Sequence, residues 1–169
     1  YGWGWPKDVA GAIGFLNARD EVDPERIGAL GLSVGGEVLI QFAGQGTDLK
    51  AVVVDGTYAG SSEAAQRIMG FNAITPSTAL EFATVGITSG TTPGPVIEDM
   101  MKRITSPLLL VAAGPPEKDA GEVYDRAAGD RPVDVWYLPD VAHTAAIRDA
   151  APEYEARVTA FFEAALPAQ

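Results

Sequence analysis

Apolar positions along the chain alternate between two spacings, and that alternation sets out the elements before any chemistry is considered. Mostly apolar runs occur at Ala51–Asp55 (AVVVD), 107–113 (PLLLVAA) and 133–138 (VDVWYL). Runs of this length and branched content predict strands covered on both faces. Residues 26–32 (RIGALGL) read as a further strand, following the Asp23-Pro24 turn signal and ending at Ser33.

Helical spacing fills the intervals. Pro6 suits a first helical turn, and Val9, Ile13 and Leu16 follow at steps of four and three. Residues 35–43 predict a helix burying Val38, Leu39 and Phe42, and 118–128 a short helix closed by Gly129. Near the C-terminus Tyr154, Val158, Phe161, Phe162 and Ala165 form one apolar stripe with polar residues opposite.

Strands separated by helices imply right-handed crossovers. The expectation is an α/β domain over residues 1–169, with a mostly parallel sheet of about four strands flanked by helices. One segment breaks the rhythm. Residues 57–104 are weakly periodic and contain GITSGTTPGP at 86–95, which predicts a lid-like or loop insertion. Ligands of open α/β sheets bind beyond the strands' carboxyl ends. Ser33, the start of the insertion, 114–119 and 141–144 all follow strands and are expected along that one edge.

The residues gathered there carry a specific chemistry. Ser33 lies in GLSVGGE, between Gly31 and Gly35, a G-x-S-x-G spacing placed between a strand and a helix. Small neighbours two residues to either side are expected because larger ones would collide where the backbone folds back. A serine hydroxyl attacks carbon only when a base takes its proton. The chain has a single histidine, His143, after the last strand in LPDVAHTAAI. Imidazole titrates in the range a general base needs at neutral pH. A carboxylate behind the ring would fix its tautomer and offset the charge it acquires. Glu117, three residues past Gly114, is the first candidate, with Asp119 and Asp55 as alternatives; Asp140 is too near His143 along the chain to reach behind the ring. The backbone N–H of Val34 is the expected oxyanion donor. Trp3 and Trp5 are candidates for lining a substrate pocket.

Charge removes other classes. With 23 acidic against 12 basic residues the net charge is −11, and no basic cluster suits a nucleic acid or an anionic membrane surface. There are no cysteines, which excludes disulfides, zinc–thiolate sites and a cysteine nucleophile. No metal and no organic cofactor are expected. The longest apolar runs, such as Leu108–Ala113, are too short to cross a bilayer. GLSVGGE could also be read as an anion cradle at a helix N-terminus, but it lacks both the Gly-Lys-Ser/Thr ending of a P-loop and a G-x-G-x-x-G. The chain begins at Tyr1 rather than Met, so upstream residues are expected and the cytoplasm stands only as a default compartment.

These stretches resemble one family. DPERIGALGLSVGGE is similar to the approach and nucleophile elbow of α/β-hydrolase-fold serine hydrolases. The run from Ser106 to Gly114 resembles their strand before the acid loop, and LPDVAHTAAI their histidine loop. Bacterial esterase-like and acyl-peptidase-like members are the nearest in pattern. The resemblance implies hydrolysis of esters, extending to amides or peptides, through an acyl-enzyme. It also implies earlier strands, and a loop supplying another oxyanion donor, that this sequence does not contain. The chain is therefore expected to be the C-terminal part of the fold, lacking the N-terminal strands. Its first strand would present an open sheet edge to a missing N-terminal half or to a second copy. The rival expectation is a non-catalytic or incomplete module of the same fold.

Overall fold

The computed structural model describes residues 4–47, 49–57, 76–90, 97–131 and 133–167. Its centre is a four-stranded parallel sheet in the order β1 (Gly28–Leu32), β2 (Ala51–Asp55), β3 (Leu108–Ala113) and β4 (Val133–Leu138). All residues of β2 and β3 are buried, as aliphatic runs covered on both faces require. The same expectation fails for β4, an edge strand among the described residues, in which only Trp136 is buried and Asp134 is exposed. Register aligns the strand ends: Leu32 pairs with Asp55, Asp55 with Val111, and Ala113 with Leu138.

Side chains alternate between two cores. Val52, Val54, Leu108 and Leu110 face one side, packing with Ile13 of α1 (Pro6–Asn17), with Leu39, Ile40 and Phe42 of α2 (Val34–Ala43), and with Tyr124. Val53, Leu109 and Val111 face the other side with Trp136 and Tyr154. The segment between β2 and β3 contributes α3 (Pro76–Ser89) and α4 (Ile97–Met101). The remainder of that expected insertion, 58–75 and 91–96, lies outside the described residues. After β3 comes α5 (Gly114–Ala128), and after β4 come the short α6 (Ala146–Asp149) and α7 (Ala151–Ala165).

Two boundaries differ from the sequence expectation by more than one residue. The first strand begins at Gly28 rather than 26, because Pro24–Arg26 form a 3₁₀ turn. The Asp23 carboxylate caps that turn by accepting the Glu25 N–H at 2.9 Å. The helix expected over 118–128 starts at Gly114, so what reads as a loop is the helix's first turn. Pro115 and Pro116 permit this, since N–H groups in a first turn have no intrahelical acceptor.

β1 has no neighbour on its outer side among the described residues, and Leu30 and Leu32 there are 40% and 41% exposed.

Candidate active site

Ser33 stands at the junction of β1 and α2 with φ 52° and ψ −125°, a conformation that residues other than glycine rarely adopt. Two hydrogen bonds fix it. Its N–H donates to the Asp55 carbonyl at 2.7 Å, and its own carbonyl accepts the Gly36 N–H at 2.9 Å. The backbone reverses so tightly that a Cβ on Gly31 would lie 2.6 Å from the Gly35 carbonyl carbon and oxygen. Here the sequence expectation needs correcting. A Cβ on Gly35 would meet nothing within 4 Å, whereas one on Gly36 would lie 2.7 Å from Val54 Cγ1. The constrained pair is Gly31 and Gly36, because the helix turns Gly36 inward onto β2.

His143 follows β4 and brings its Nε2 to 2.9 Å from Ser33 Oγ. Its Nδ1 lies 2.6 Å from Glu117 Oε1. Glu117 is in the first turn of α5 and is 1% exposed, so it is no solvated helix-start carboxylate. Its second oxygen accepts the Ala113 N–H at 2.6 Å. An acid accepting on one oxygen from a backbone N–H and facing Nδ1 with the other holds the imidazole proton on Nδ1. Nε2 is then the acceptor for the Ser33 hydroxyl. The following residue, Thr144, has φ 53°, and its hydroxyl donates to the His143 carbonyl at 2.8 Å.

The other candidate acids are placed differently. Asp119 is exposed on α5 and Asp140 is exposed after β4. Asp55 is fully buried at the end of β2, on the face shared by Tyr154. Neither of its carboxyl oxygens makes a hydrogen bond of ordinary geometry. Burial pushes its pKa up, and the nearby Glu117 charge adds to this; the Tyr154 hydroxyl and His143 oppose it. Tyr154 is likewise pushed up by burial and by the Asp55 carboxyl. Asp55 thus meets the site through its backbone carbonyl on Ser33, not as the partner of the ring.

Val34 occupies the first position of α2, where a helical N–H lacks an intrahelical acceptor, directly after Ser33. Trp5 precedes α1 and is 46% exposed; Trp3 lies outside the described residues. Sequence reasoning missed Gly56. It has φ +79°, and a Cβ there would lie 3.0 Å from both Cε1 and Nδ1 of His143. The Asp-Gly pair closing β2 was the available signal for a tight turn. Chemically, the arrangement can draw a proton from Ser33 to His143 and balance the resulting imidazolium with Glu117.

No family profile matches this chain, and no curated protein sequence does either. Solved structures do. An esterase from Pyrococcus furiosus superposes with a TM-score of 0.67 at 20% identity, covering 95% of this chain and 61% of its own. An α/β-hydrolase from a Penicillium species gives 0.61 at 14% identity, covering 95% of this chain and 71% of its own. An acylaminoacyl peptidase bound to a peptidyl chloromethyl ketone gives 0.68 at 20% identity, covering 97% of this chain and 28% of its own. The chain spans about three fifths of the length of the Pyrococcus esterase. The architecture is the α/β-hydrolase fold.

Proposed function

We propose that this chain hydrolyses carboxylic esters by acyl transfer to Ser33. The observation carrying this reading is the continuous contact from Ser33 Oγ through His143 to the buried Glu117, at 2.9 and 2.6 Å. The esterase and peptidase identities of structural neighbours support acyl chemistry over other uses of the fold.

Ser33 Oγ attacks the acyl carbon while Nε2 of His143 takes the hydroxyl proton. The carbonyl oxygen becomes an oxyanion facing the Val34 N–H. Collapse breaks the bond to the leaving alkoxide, which takes the proton from Nε2, and leaves an acyl-Ser33 ester. Water then attacks that ester as His143 accepts its proton, and the second collapse releases the carboxylic acid and restores the Ser33 hydroxyl. Glu117 holds the ring proton on Nδ1 throughout and stabilises each imidazolium.

A fluorophosphonate probe tests the assignment. Labelling of the native chain at Ser33, abolished in Ser33→Ala, supports it; equal labelling of Ser33→Ala refutes it.

A companion reading concerns the edge of β1. A parallel sheet is normally covered on both faces, yet Leu30 and Leu32 lie open beside a strand edge that has no partner among the described residues. The Pyrococcus esterase has residues beyond the 61% that the likeness covers. On this reading a further strand pairs with β1 and brings the second oxyanion donor. Losing one such donor costs about 10²–10³ in rate. Supplying those strands in trans should raise ester turnover about 10²-fold. Unchanged turnover would remove the companion reading and leave the Ser33 assignment in place, whereas formation of a dimer would assign the edge to a second copy.

A further inference from the structure

We infer that Gly56 is a positioning residue for the imidazole of His143, and that the Asp55–Gly56 corner sets nucleophile and base relative to each other. Two residues with positive φ, Ser33 at 52° and Thr144 at 53°, lie on separate loops after different strands. Nothing local holds such residues at the spacing that proton transfer needs. Both meet the end of β2. Ser33 is tied to it by the 2.7 Å bond from its N–H to the Asp55 carbonyl. The histidine loop rests on the next residue. A Cβ on Gly56 would lie 2.8 Å from Thr144 Cγ2 and 3.0 Å from His143 Cε1 and Nδ1. The Gly56 N–H donates to the Val111 carbonyl of β3 at 3.0 Å, which locks the corner to the sheet's centre.

Real Cβ atoms essentially never come as close as the 2.8 Å to Thr144 Cγ2, and the ring contacts at 3.0 Å are at the tight limit. A side chain at 56 therefore moves the methyl and obliges the ring to give by a few tenths of an ångström. The imidazole can yield only by lengthening or misaligning its contact with Glu117 or Ser33, since its two nitrogens are engaged at 2.6 and 2.9 Å. Misplacing a reacting group by about 1 Å can lower the rate about 10²-fold, so a shift of a few tenths of an ångström should cost about 10-fold. Substrate contacts elsewhere are untouched, which separates kcat from KM. An alanine at φ +79° is also strained, so a loss of stability is expected alongside.

The inference rests on the proposed hydrolysis only for its kinetic arm, and it has a second arm that needs no substrate. Because the chain has one histidine, selective ¹⁵N-histidine labelling gives one imidazole to observe. Native protein should show a low-field Nδ1 proton, from the contact with Glu117, and a nuclear Overhauser effect between the Gly56 α-protons and His143 Hε1. Absence of that Overhauser effect overturns the inference, whatever the enzyme assay shows. Gly56→Ala should shift or broaden the low-field proton and fall about 10-fold in kcat, with KM within about 2-fold. Gly56→Ala/Thr144→Ser removes the methyl that a Cβ would strike first, so it should regain part of the thermal stability while kcat stays low. If the double variant recovers kcat together with stability, the methyl and not the ring was obstructed, and the inference fails. A folded Gly56→Ala with native kcat and an unaltered imidazole spectrum overturns it equally.

Discussion

Glu117 reaches His143 at 2.6 Å from inside the first turn of a helix, not from a loop, and it is almost wholly removed from solvent there. Its other oxygen is held by the Ala113 N–H, so each carboxyl oxygen has a hydrogen-bond partner. The helix N-terminus adds positive potential at the same place. A buried carboxylate is thereby kept pointing at one atom of the ring.

Removing that charge while keeping the shape should uncouple the ring. Glu117→Gln places an amide opposite Nδ1 and allows the wrong tautomer, and a comparable change in a Ser–His–Asp site lowers kcat about 10⁴-fold. We expect a loss of about 10³–10⁴ for Glu117→Gln in ester hydrolysis. Asp119→Asn, on the exposed part of the same helix, should stay within about 2-fold of native. Comparable losses in both variants would sink the assignment of Glu117.

The glycines around Ser33 should divide sharply. Gly31→Ala drives a Cβ to 2.6 Å from backbone atoms of Gly35, and backbone cannot swing aside as a side chain can. Loss of several kcal/mol, or failure to fold, is expected, as for other overpacked sites. Gly35→Ala enters open space in the first turn of α2 and should be neutral or stabilising by up to about 1 kcal/mol. Chemical denaturation of the two variants decides this, and a Gly35→Ala as damaging as Gly31→Ala would contradict the elbow geometry.

The physical reason why some of this was legible lies in how far each signal extends along the chain. β2 and β4 show as runs of apolar and branched residues, and strand periodicity is local. The meeting of Ser33, Glu117 and His143 was expected from topology alone, since loops after parallel strands share one edge. Nothing in that rule chooses between Glu117, Asp119 and Asp55. The choice depends on which helical position turns inward, and the Gly-Pro-Pro start of α5 reads as a loop until the helix is seen to include it. Likewise G-x-S-x-G suggests that Gly35 is crowded, but Gly36 is the one that packs on Val54, a contact with another strand. Gly56 against His143 is non-local too, and a lone histidine gives no sign of what lies under its ring.

Asp55 should weaken the fold as it ionises. Burial raises its pKa, so the folded chain holds this proton more tightly than the unfolded chain does. Such a group contributes stability that is fully present below its unfolded pKa and lost as pH rises through its folded pKa. Asp55→Asn keeps the shape without the ionisation and leaves the backbone carbonyl on Ser33. Relative to native protein it should gain thermal stability progressively above about pH 4, the ordinary aspartate range. A constant difference in melting temperature from acid to alkaline pH would refute the role given to burial.

Glu37 provides the same kind of test with a defined window. It sits in the first turn of α2, where the helix dipole favours a negative charge. Burial outweighs that and pushes its pKa up to about 7. The unfolded chain releases this proton near pH 4.3, the folded chain near 7, so between the two the folded state binds more protons and stability falls as pH rises. Glu37→Gln should match native stability near pH 4, diverge through pH 5 and 6, and stand above it at pH 8. The full gap is on the order of 4 kcal/mol, taking about 1.4 kcal/mol per pKa unit. Because Asp55 acts in the same direction in both proteins, the difference between the two urea-denaturation series isolates Glu37. Parallel curves from pH 4 to 8 would mean that this carboxylate ionises in the folded protein as it does in water.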